Sequence, residues 1–249
     1  MASGELLRLG GVTVLTCRQK GRGGDLHSFI REAGGIVVHL PLIEVVAPAD
    51  GGAALRSALV RLDDFDWMVC TSANGVEAVA RGLLTVGREL PSDLRLAAVG
   101  PATAATFSRL LDREPDLVPE RATAADLGQA FPLSTQRVLA ALAAAAGDDV
   151  KQVLRARGYS VEVVTAYDTQ MPVHSPDLVR QAGTADVAVV SSPSAVRRLI
   201  DVLEDRTPGR IVAIGPKTAA AARNFTAARV WEARDTSAAG LMAALAQAT

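Results

Sequence analysis

The sequence predicts an α/β protein with two similar open sheets of parallel strands and helices on both faces of each sheet. Three observations predict this fold class. Short apolar, β-branched runs alternate along the chain with segments of helical periodicity. The strands are continuous apolar runs, which is typical of parallel strands buried on both faces. Most of these segments also occur twice, so the chain contains two near-copies of one pattern.

The first recurring unit is a strand, a helix, a second strand and an extended connection. In the first copy these segments are residues 12–17, 25–33, 36–40 and 41–48. The pattern returns 124 residues later, at 137–172, where residues 165–172 form the matching connection. Apolar residues at helical spacing predict the helix, and a Gly-Gly pair ends it.

The second recurring unit contains two strand-to-helix junctions and a further helix. The strand that begins at Asp66 returns 120 residues later at Asp186. The next junction is a Gly-Pro turn, which starts at Gly100 and again at Gly215. The chain is therefore unit one, unit two, unit one, unit two. The repeat allows tandem domains or a crossed arrangement, and an eight-residue extended connection spans at most about 26–29 Å.

Composition excludes several classes of protein. The 249 residues are 49% apolar and 21% charged, which suits one large or two small globular domains. The net charge of −1 does not attract nucleic acid or an acidic membrane, and only 4% of the residues are aromatic. We find no secretory leader and no apolar run of about 20 residues. We therefore expect a cytoplasmic protein that binds neither nucleic acid nor membrane.

Cysteine and histidine spacing predicts no metal centre. Cys17 and Cys70 lie at the ends of apolar runs without zinc-ligand spacing, and we expect buried free thiols. The three histidines are scattered, and His27 is predicted on the solvated face of a helix. No junction has a GxGxxG or P-loop pattern, so neither a dinucleotide nor a magnesium-bound nucleotide is predicted.

Five strand-to-helix junctions carry glycine or small polar residues. In open parallel sheets these junctions lie at the carboxyl ends of the strands, where ligands bind. Backbone N–H groups at a helix start are unpaired and favour an anion. Each junction alone is an ordinary helix cap, but five together predict an anion-lined cleft. The candidate binding residues are Arg18, Thr71, Ser72, Asn74, Gly100, Thr103, Ser192, Ser194, Gly215, Lys217 and Thr218.

Tyr167 interrupts the repeat. It lies in the second connection, where the first copy has Ile43. One interpretation is structural, with the ring packed at a hinge and its hydroxyl paired. The other is catalytic, because a phenol at the mouth of a cleft can act as a general acid. Tyr167 is therefore the candidate catalytic residue.

The order and spacing of several short motifs resemble the uroporphyrinogen-III synthase family, from about residue 12 to residue 245. No single motif is diagnostic, but together they are specific. The motifs are Leu15-Thr-Cys-Arg18, Leu40-Pro-Leu42, Phe65-Asp-Trp67, Thr71-Ser-Ala-Asn-Gly75, Val99-Gly-Pro-Ala-Thr103, Leu117-Val-Pro119, Ala122-Thr-Ala124, Ala166-Tyr167-Asp-Thr169, Ser191-Ser-Pro-Ser194 and Ile214-Gly-Pro-Lys-Thr218.

The resemblance implies two flavodoxin-like domains in the crossed arrangement, joined by a two-stranded linker. One domain would contain residues 1–40 and 173–249, and the other residues 49–164. Residues 41–48 and 165–172 would be the linkers. The resemblance implies that neither a cofactor nor a metal is used. We expect a monomer, although the sequence itself does not give the oligomeric state.

The resemblance also implies the reaction, in which linear hydroxymethylbilane closes with loss of water and inversion of ring D to give uroporphyrinogen III. Tyr167 matches the family's AYxT tyrosine, and Thr103 and Thr218 match its Gly-x-x-Thr threonines. The substrate is a polycarboxylate, which suits a cleft lined by helix starts and hydroxyl groups.

One segment departs from the family. After the strand at 137–139 the family has a polar loop, whereas this chain has an alanine-rich stretch at 140–146. The matching stretch in the first copy, residues 18–24, is polar. Three outcomes remain open: binding by backbone amides, weaker binding, or loss of activity. The alternative to an enzyme is therefore a non-catalytic two-domain binder or sensor of a porphyrinogen-like polyanion.

Overall fold

The computed structural model describes residues 8–19 and 24–249, so residues 20–23 of the predicted polar stretch lie outside it. Strands and helices alternate along most of the described chain. Two strands follow each other once and two helices once, and 3-10 turns follow two of the helices. In chain order the elements are β1 (Thr13–Thr16), α1 (Gly24–Glu32), β2 (Ile36–His39), β3 (Glu44–Val46), α2 (Ala53–Val60), β4 (Trp67–Cys70), α3 (Ala73–Val86), β5 (Arg95–Ala98), α4 (Pro101–Leu111), α5 (Ala124–Ala130), β6 (Arg137–Ala143), α6 (Asp149–Ala156), β7 (Ser160–Gln170), α7 (Pro176–Gly183), β8 (Val187–Val190), α8 (Pro193–Leu203), β9 (Arg210–Ala213), α9 (Pro216–Phe225), β10 (Arg229–Glu232) and α10 (Ala238–Ala248).

The strands form two five-stranded sheets. Their orders are β10-β9-β8-β1-β2 and β3-β7-β6-β4-β5. In the first sheet each neighbouring pair is parallel. In the second sheet the neighbouring pairs β7–β6, β6–β4 and β4–β5 are parallel. The predicted fold class, α/β with two similar open parallel sheets, is confirmed.

Each sheet combines the first unit of one copy with the second unit of the other. β1 and β2 share a sheet with β8, β9 and β10, whereas β6 and β7 share one with β4 and β5. The contacts divide the chain into two compact units, of which one ends at Glu44 and resumes at Gln170, and the other is Val45–Thr169. Residues 165–170 belong to β7, which runs unbroken from residue 160.

The same hydrogen bond to an aspartate carboxylate occurs at the amino ends of both sheets. In each case it joins a strand of the first recurring unit to the aspartate that precedes a strand of the second recurring unit. Asp186, just before β8, accepts a hydrogen bond from the Thr13 N–H of β1 at 2.8 Å. Asp66, just before β4, accepts the matching bond from the Arg137 N–H of β6, also at 2.8 Å. The two aspartates are equivalent in the repeat, so both copies use the same device to hold neighbouring strands in register.

Each sheet has an apolar layer on both faces, as expected for buried parallel strands. In the first sheet Val14 packs in the layer under α1 and α10, whereas Leu15 packs in the layer under α7, α8 and α9. In the second sheet Met68 and Val69 divide in the same way between α2–α4 and α5–α6. Among the described residues, no helix is long and apolar enough to span a membrane.

The alanine-rich stretch is partly strand, which corrects the expected loop. β6 continues to Ala143, and the alanines at 140 and 141 are buried. Alanine has a low strand propensity, but β6 lies between β4 and β7 and its backbone is paired on both sides. Tertiary pairing therefore overrides the local preference.

Tyr159 offers a test of the packing in the second sheet. Its side chain is 3% exposed, its ring lies edge-on to Phe131 at 5.4 Å, and its hydroxyl has no hydrogen-bond partner within the described chain. An unpaired buried hydroxyl costs about 1–3 kcal/mol. We expect Tyr159→Phe to leave the free energy of unfolding in urea unchanged or to raise it by about 1 kcal/mol. A clear loss of stability would instead indicate a buried water bound to the hydroxyl.

Candidate functional site

The strand order defines one crevice in each sheet. From one edge to the other, the first sheet runs β2, β1, β8, β9, β10. The helical connections therefore change from one face of the sheet to the other between β1 and β8. The second sheet changes side in the same way between β6 and β4. Ligands of open α/β sheets bind at the carboxyl ends of the strands at such switch points.

Ser72 and Tyr167 meet at the switch point of the second sheet. Ser72 follows β4 and caps α3, where its Oγ accepts a hydrogen bond from the Gly75 N–H at 3.1 Å. The same Oγ lies 2.8 Å from the Tyr167 hydroxyl oxygen. Tyr167 is 7% exposed, so its ring is packed and its hydroxyl is paired. Its partner is itself a candidate binding residue.

A shift of register brings Tyr167 to this face of the sheet. Leu142 of β6 is opposite Thr165 of β7, but the next residue, Ala143, is opposite Tyr167. Successive side chains of a regular strand point to opposite faces, whereas Ala166 and Tyr167 both pack in the layer next to α3. The extra residue in β7 therefore turns the tyrosine towards Ser72, as a β-bulge can do.

The two Gly-Pro turns begin α4 and α9 with almost the same backbone. Gly100 has φ 179° and ψ 179°, and Gly215 has φ 176° and ψ 179°. Neither helix start has a side-chain capping bond. Thr103 and Thr218 lie in the first turns, and each is 4% exposed. The first residue of each helix is proline, which has no N–H, and the Thr103 N–H already donates to the Gly100 carbonyl at 3.1 Å. The N–H of the second residue of each helix and that of Thr218 remain available to an anion.

The second junction of the first sheet is capped in the way that Ser72 caps α3. Ser192 caps α8. Its Oγ accepts a hydrogen bond from the Ala195 N–H at 3.1 Å and lies 3.0 Å from Ser194 Oγ. Lys217 is exposed in the first turn of α9. Thr71 and Asn74 flank Ser72 and are partly exposed.

Arg18 follows β1 and is partly buried. Burial lowers the pKa of its guanidinium from the ordinary value, and Asp25 partly offsets this effect. The Arg18 carbonyl accepts a hydrogen bond from His39 Nε2–H at 2.8 Å. His27, predicted on a solvated face, instead contacts the buried Thr16. Sequence reasoning missed this histidine pair, although both histidines lack a counterpart in the second copy.

The sites predicted from sequence thus lie at the carboxyl edges of the two sheets. The first sheet holds Arg18, Ser192, Ser194, Gly215, Lys217 and Thr218. The second sheet holds Thr71, Ser72, Asn74, Gly100, Thr103 and Tyr167. Asn74 and the nearby Glu77 both have interactions within the protein.

No group suited to hold a metal occurs in the described part of the chain, where no three His, Cys, Asp or Glu side chains converge. Cys17 and Cys70 are buried free thiols, as predicted. Burial raises the pKa of each thiol to about 12, so neither is a nucleophile near neutral pH. The candidate site residues supply hydroxyl groups, backbone amides and the guanidinium of Arg18.

Solved structures of the same fold support the two-sheet arrangement. A mutant uroporphyrinogen III synthase from Thermus thermophilus has a TM-score of 0.63 at 19% identity, covering 94% of this chain and 96% of that one. Uroporphyrinogen-III synthetase from Helicobacter pylori has a TM-score of 0.58 at 15% identity, covering 94% and 97%.

Sequence comparison extends from the fold to the family. The uroporphyrinogen-III synthase of Synechococcus elongatus is 29% identical and covers 95% of both chains. The chloroplastic uroporphyrinogen-III synthase of Oryza sativa is 28% identical over 85% of this chain and 72% of its own. The family model for uroporphyrinogen-III synthase HemD matches residues 24–243. The chain therefore belongs to the uroporphyrinogen-III synthase family, the cyclising lyases of haem and tetrapyrrole biosynthesis.

Proposed function

We propose that this chain closes hydroxymethylbilane to uroporphyrinogen III and that Tyr167 supplies the proton with which the terminal hydroxyl group leaves. The observation that carries the proposal is the 2.8 Å contact between the Tyr167 and Ser72 hydroxyl groups at a switch point. A phenol in this position can act as a general acid.

The steps balance in protons and bonds. Tyr167 protonates the departing hydroxyl, the C–O bond breaks, and water and an azafulvene cation form. Ring D attacks through its substituted α-carbon, and the spiro intermediate then fragments and recloses with ring D inverted. The proton released when the final pyrrole regains aromaticity replaces the one that Tyr167 gave.

Ser72 stabilises the phenolate that forms in the first step. Its oxygen already accepts the Gly75 N–H, so its own O–H can be donated to Tyr167. A hydrogen bond to the charged form of an acid favours that form. Ser72 thereby assists proton transfer by Tyr167.

The helix starts bind the acidic side chains of the substrate. The uncapped first turns of α4 and α9 offer backbone N–H groups and a buried threonine each, and Ser192 and Ser194 add hydroxyl groups at α8. Arg18 supplies a charge-assisted contact. Much of the rate acceleration then comes from holding the flexible linear tetrapyrrole in one reactive geometry.

We further propose that the protein is a cytoplasmic monomer that needs no cofactor. Residues 1–40 and 173–249 would form one domain, and residues 49–164 the other. Free buried thiols support a reducing compartment. A net charge of −1 supports a small-molecule substrate rather than a nucleic acid or membrane partner.

The isomer of the product tests the function. Without catalysis, hydroxymethylbilane closes without inversion to the type I isomer. With the purified protein we expect the type III isomer, identified by chromatography after oxidation, and heat-denatured protein serves as the control. Type I product alone would contradict the proposal. Tight binding of a porphyrinogen together with type I product alone would favour the non-catalytic sensor.

A further inference from the structure

A pair of histidines lies at the carboxyl edge of the first sheet. His39 is the last residue of β2, and His27 lies on α1 with its ring centroid 5.0 Å from that of His39, at an interplanar angle of 66°. His27 Nε2 is 2.7 Å from Oγ1 of the fully buried Thr16. His39 Nε2–H donates to the Arg18 carbonyl at 2.8 Å. The cluster therefore connects the sheet to the backbone of Arg18.

The His39 bond lies where backbone pairing of β1 ends. The Leu40 N–H donates to the Thr16 carbonyl at 3.0 Å, and the Cys17 N–H donates to the Val189 carbonyl at 3.4 Å. Arg18 is the next residue, and the chain leaves the sheet there. Because a carbonyl can only accept, His39 must carry its proton on Nε2. A side-chain donor thus continues the pairing by one residue.

The second copy of the repeat has no histidines at the equivalent place, near the end of its first strand. The residues 124 positions after Thr16, His27 and His39 are alanine, lysine and valine. The counterpart of Arg18 is Leu142, which remains in β6 and is paired with Thr165 of β7. The fold itself therefore does not require the histidine pair. The histidine pair occurs in the copy that has an arginine just after its first strand.

We propose that His39, held in place by His27 and Thr16, is a positioning residue that orients Arg18 for binding a carboxylate of the substrate. The inference rests on the proposed function, because that function gives Arg18 its contact. Fixing the Arg18 carbonyl restricts the backbone dihedrals from which the guanidinium projects. Less conformational freedom is then lost when the substrate binds.

The charges around His27 suit a structural role for that ring. Burial lowers the pKa of His27 from its ordinary value, and His39, Arg31 and Arg18 lower it further. A neutral imidazole at His27 adds no further positive charge beside Arg18 and Arg31. His27 then supports the ring of His39 and does not compete with Arg18 for the carboxylate.

The first experiment compares His39→Val, which introduces the residue of the second copy, with His39→Gln, which keeps an N–H donor. We expect His39→Val to raise KM about 5- to 10-fold with kcat within about twofold, since tenfold corresponds to about 1.4 kcal/mol, the range of one hydrogen bond. His39→Gln should stay within about twofold of the wild type in both constants. His174→Gln, at a histidine outside the cluster, is the matched control.

The second experiment repeats His39→Val in an Arg18→Ala background. If His39 acts through Arg18, the substitution should then change KM by less than about twofold, because coupled residues are not additive. An equal rise of KM in both backgrounds would overturn the inference, as would an unchanged KM for Arg18→Ala alone.

A spectroscopic measurement keeps the test independent of turnover and of the folding of variants. In the wild-type protein, ¹⁵N NMR should show His39 protonated at Nε2 with a slowly exchanging proton. A neutral His39 protonated at Nδ1 would overturn the inference. A wild-type chain that forms only type I product would refute the proposed function, and the NMR result would still decide whether His39 holds the Arg18 backbone.

Discussion

Replacing Tyr167 by phenylalanine is expected to lower kcat about 100-fold while KM stays within about twofold, because general-acid catalysis contributes about 10²- to 10⁴-fold. The substitution removes the proton donor and leaves the packed ring in place. The substrate can still bind at the helix starts, so its affinity is preserved. Steady-state kinetics with hydroxymethylbilane, corrected for uncatalysed closure, would measure both constants.

The fold should survive this substitution. The Ser72 hydroxyl loses the phenol at 2.8 Å but keeps the Gly75 N–H, so α3 stays capped. The lost hydrogen bond costs about 1 kcal/mol of unfolding free energy. Tyr159→Phe is the matched control, because it removes a buried phenolic hydroxyl from the same compact unit. A variant at Tyr167 with unchanged kcat and a lower Tm would support the purely structural interpretation of this tyrosine.

The Ser72→Ala variant distinguishes the contribution of the Tyr167 acid from that of the hydrogen bond that Ser72 donates to it. This variant keeps the phenol but removes the hydroxyl that stabilises the phenolate, so we expect a loss of kcat of about tenfold, the size of one charge-assisted hydrogen bond. It also removes the cap of α3, which costs about 1 kcal/mol of stability. A loss of kcat larger than that of Tyr167→Phe would show that Ser72, rather than Tyr167, transfers the proton.

The repeat made the elements of the fold predictable, because each strand and helix start occurs twice with the same local signals. It could not decide which units share a sheet, since the same local segments suit tandem and crossed pairing. In the structure, the equivalent bonds of Asp66 and Asp186 to neighbouring strands join segments that are distant in sequence. Local propensity carries no information about such contacts.

The candidate site was predictable where it depends on helix capping and not where it depends on register. Ser72 and Ser192 cap helices as their sequence context predicts. The extra residue in β7 that turns Tyr167 towards Ser72 depends on pairing with β6, whose alanine-rich end has little strand propensity. The contact of His39 with the Arg18 carbonyl likewise requires two strands to be adjacent.

The two Gly-Pro turns are expected to respond differently to the same substitution. Both glycines have an extended backbone that any residue can adopt, so neither is required for its dihedral angles. An alanine Cβ at Gly100 would lie 2.7 Å from the Cβ of Ala122, whereas at Gly215 it would meet no described atom within 4 Å. Gly100→Ala should therefore lower the free energy of unfolding by about 1–3 kcal/mol, and Gly215→Ala should leave it unchanged.

A compensating change tests the cause at Gly100. Adding Ala122→Gly to Gly100→Ala removes the atom that the new methyl group meets, and we expect urea denaturation to show most of the lost stability restored. Persistent destabilisation in the double variant would mean that the collision at Ala122 is not the cause.

Activity measurements on Gly215→Ala then address why this position is glycine. Packing within the described chain gives no reason for it, and its helix start has no side-chain cap. If a carboxylate of the substrate approaches the backbone N–H groups there, a methyl group will obstruct it. We expect KM to rise about tenfold at unchanged Tm, because an obstructed anion loses a charge-assisted hydrogen bond. An unchanged KM would mean that no substrate carboxylate approaches the start of α9, and the anion contacts of this unit would then have to come from Ser192, Ser194 and Arg18.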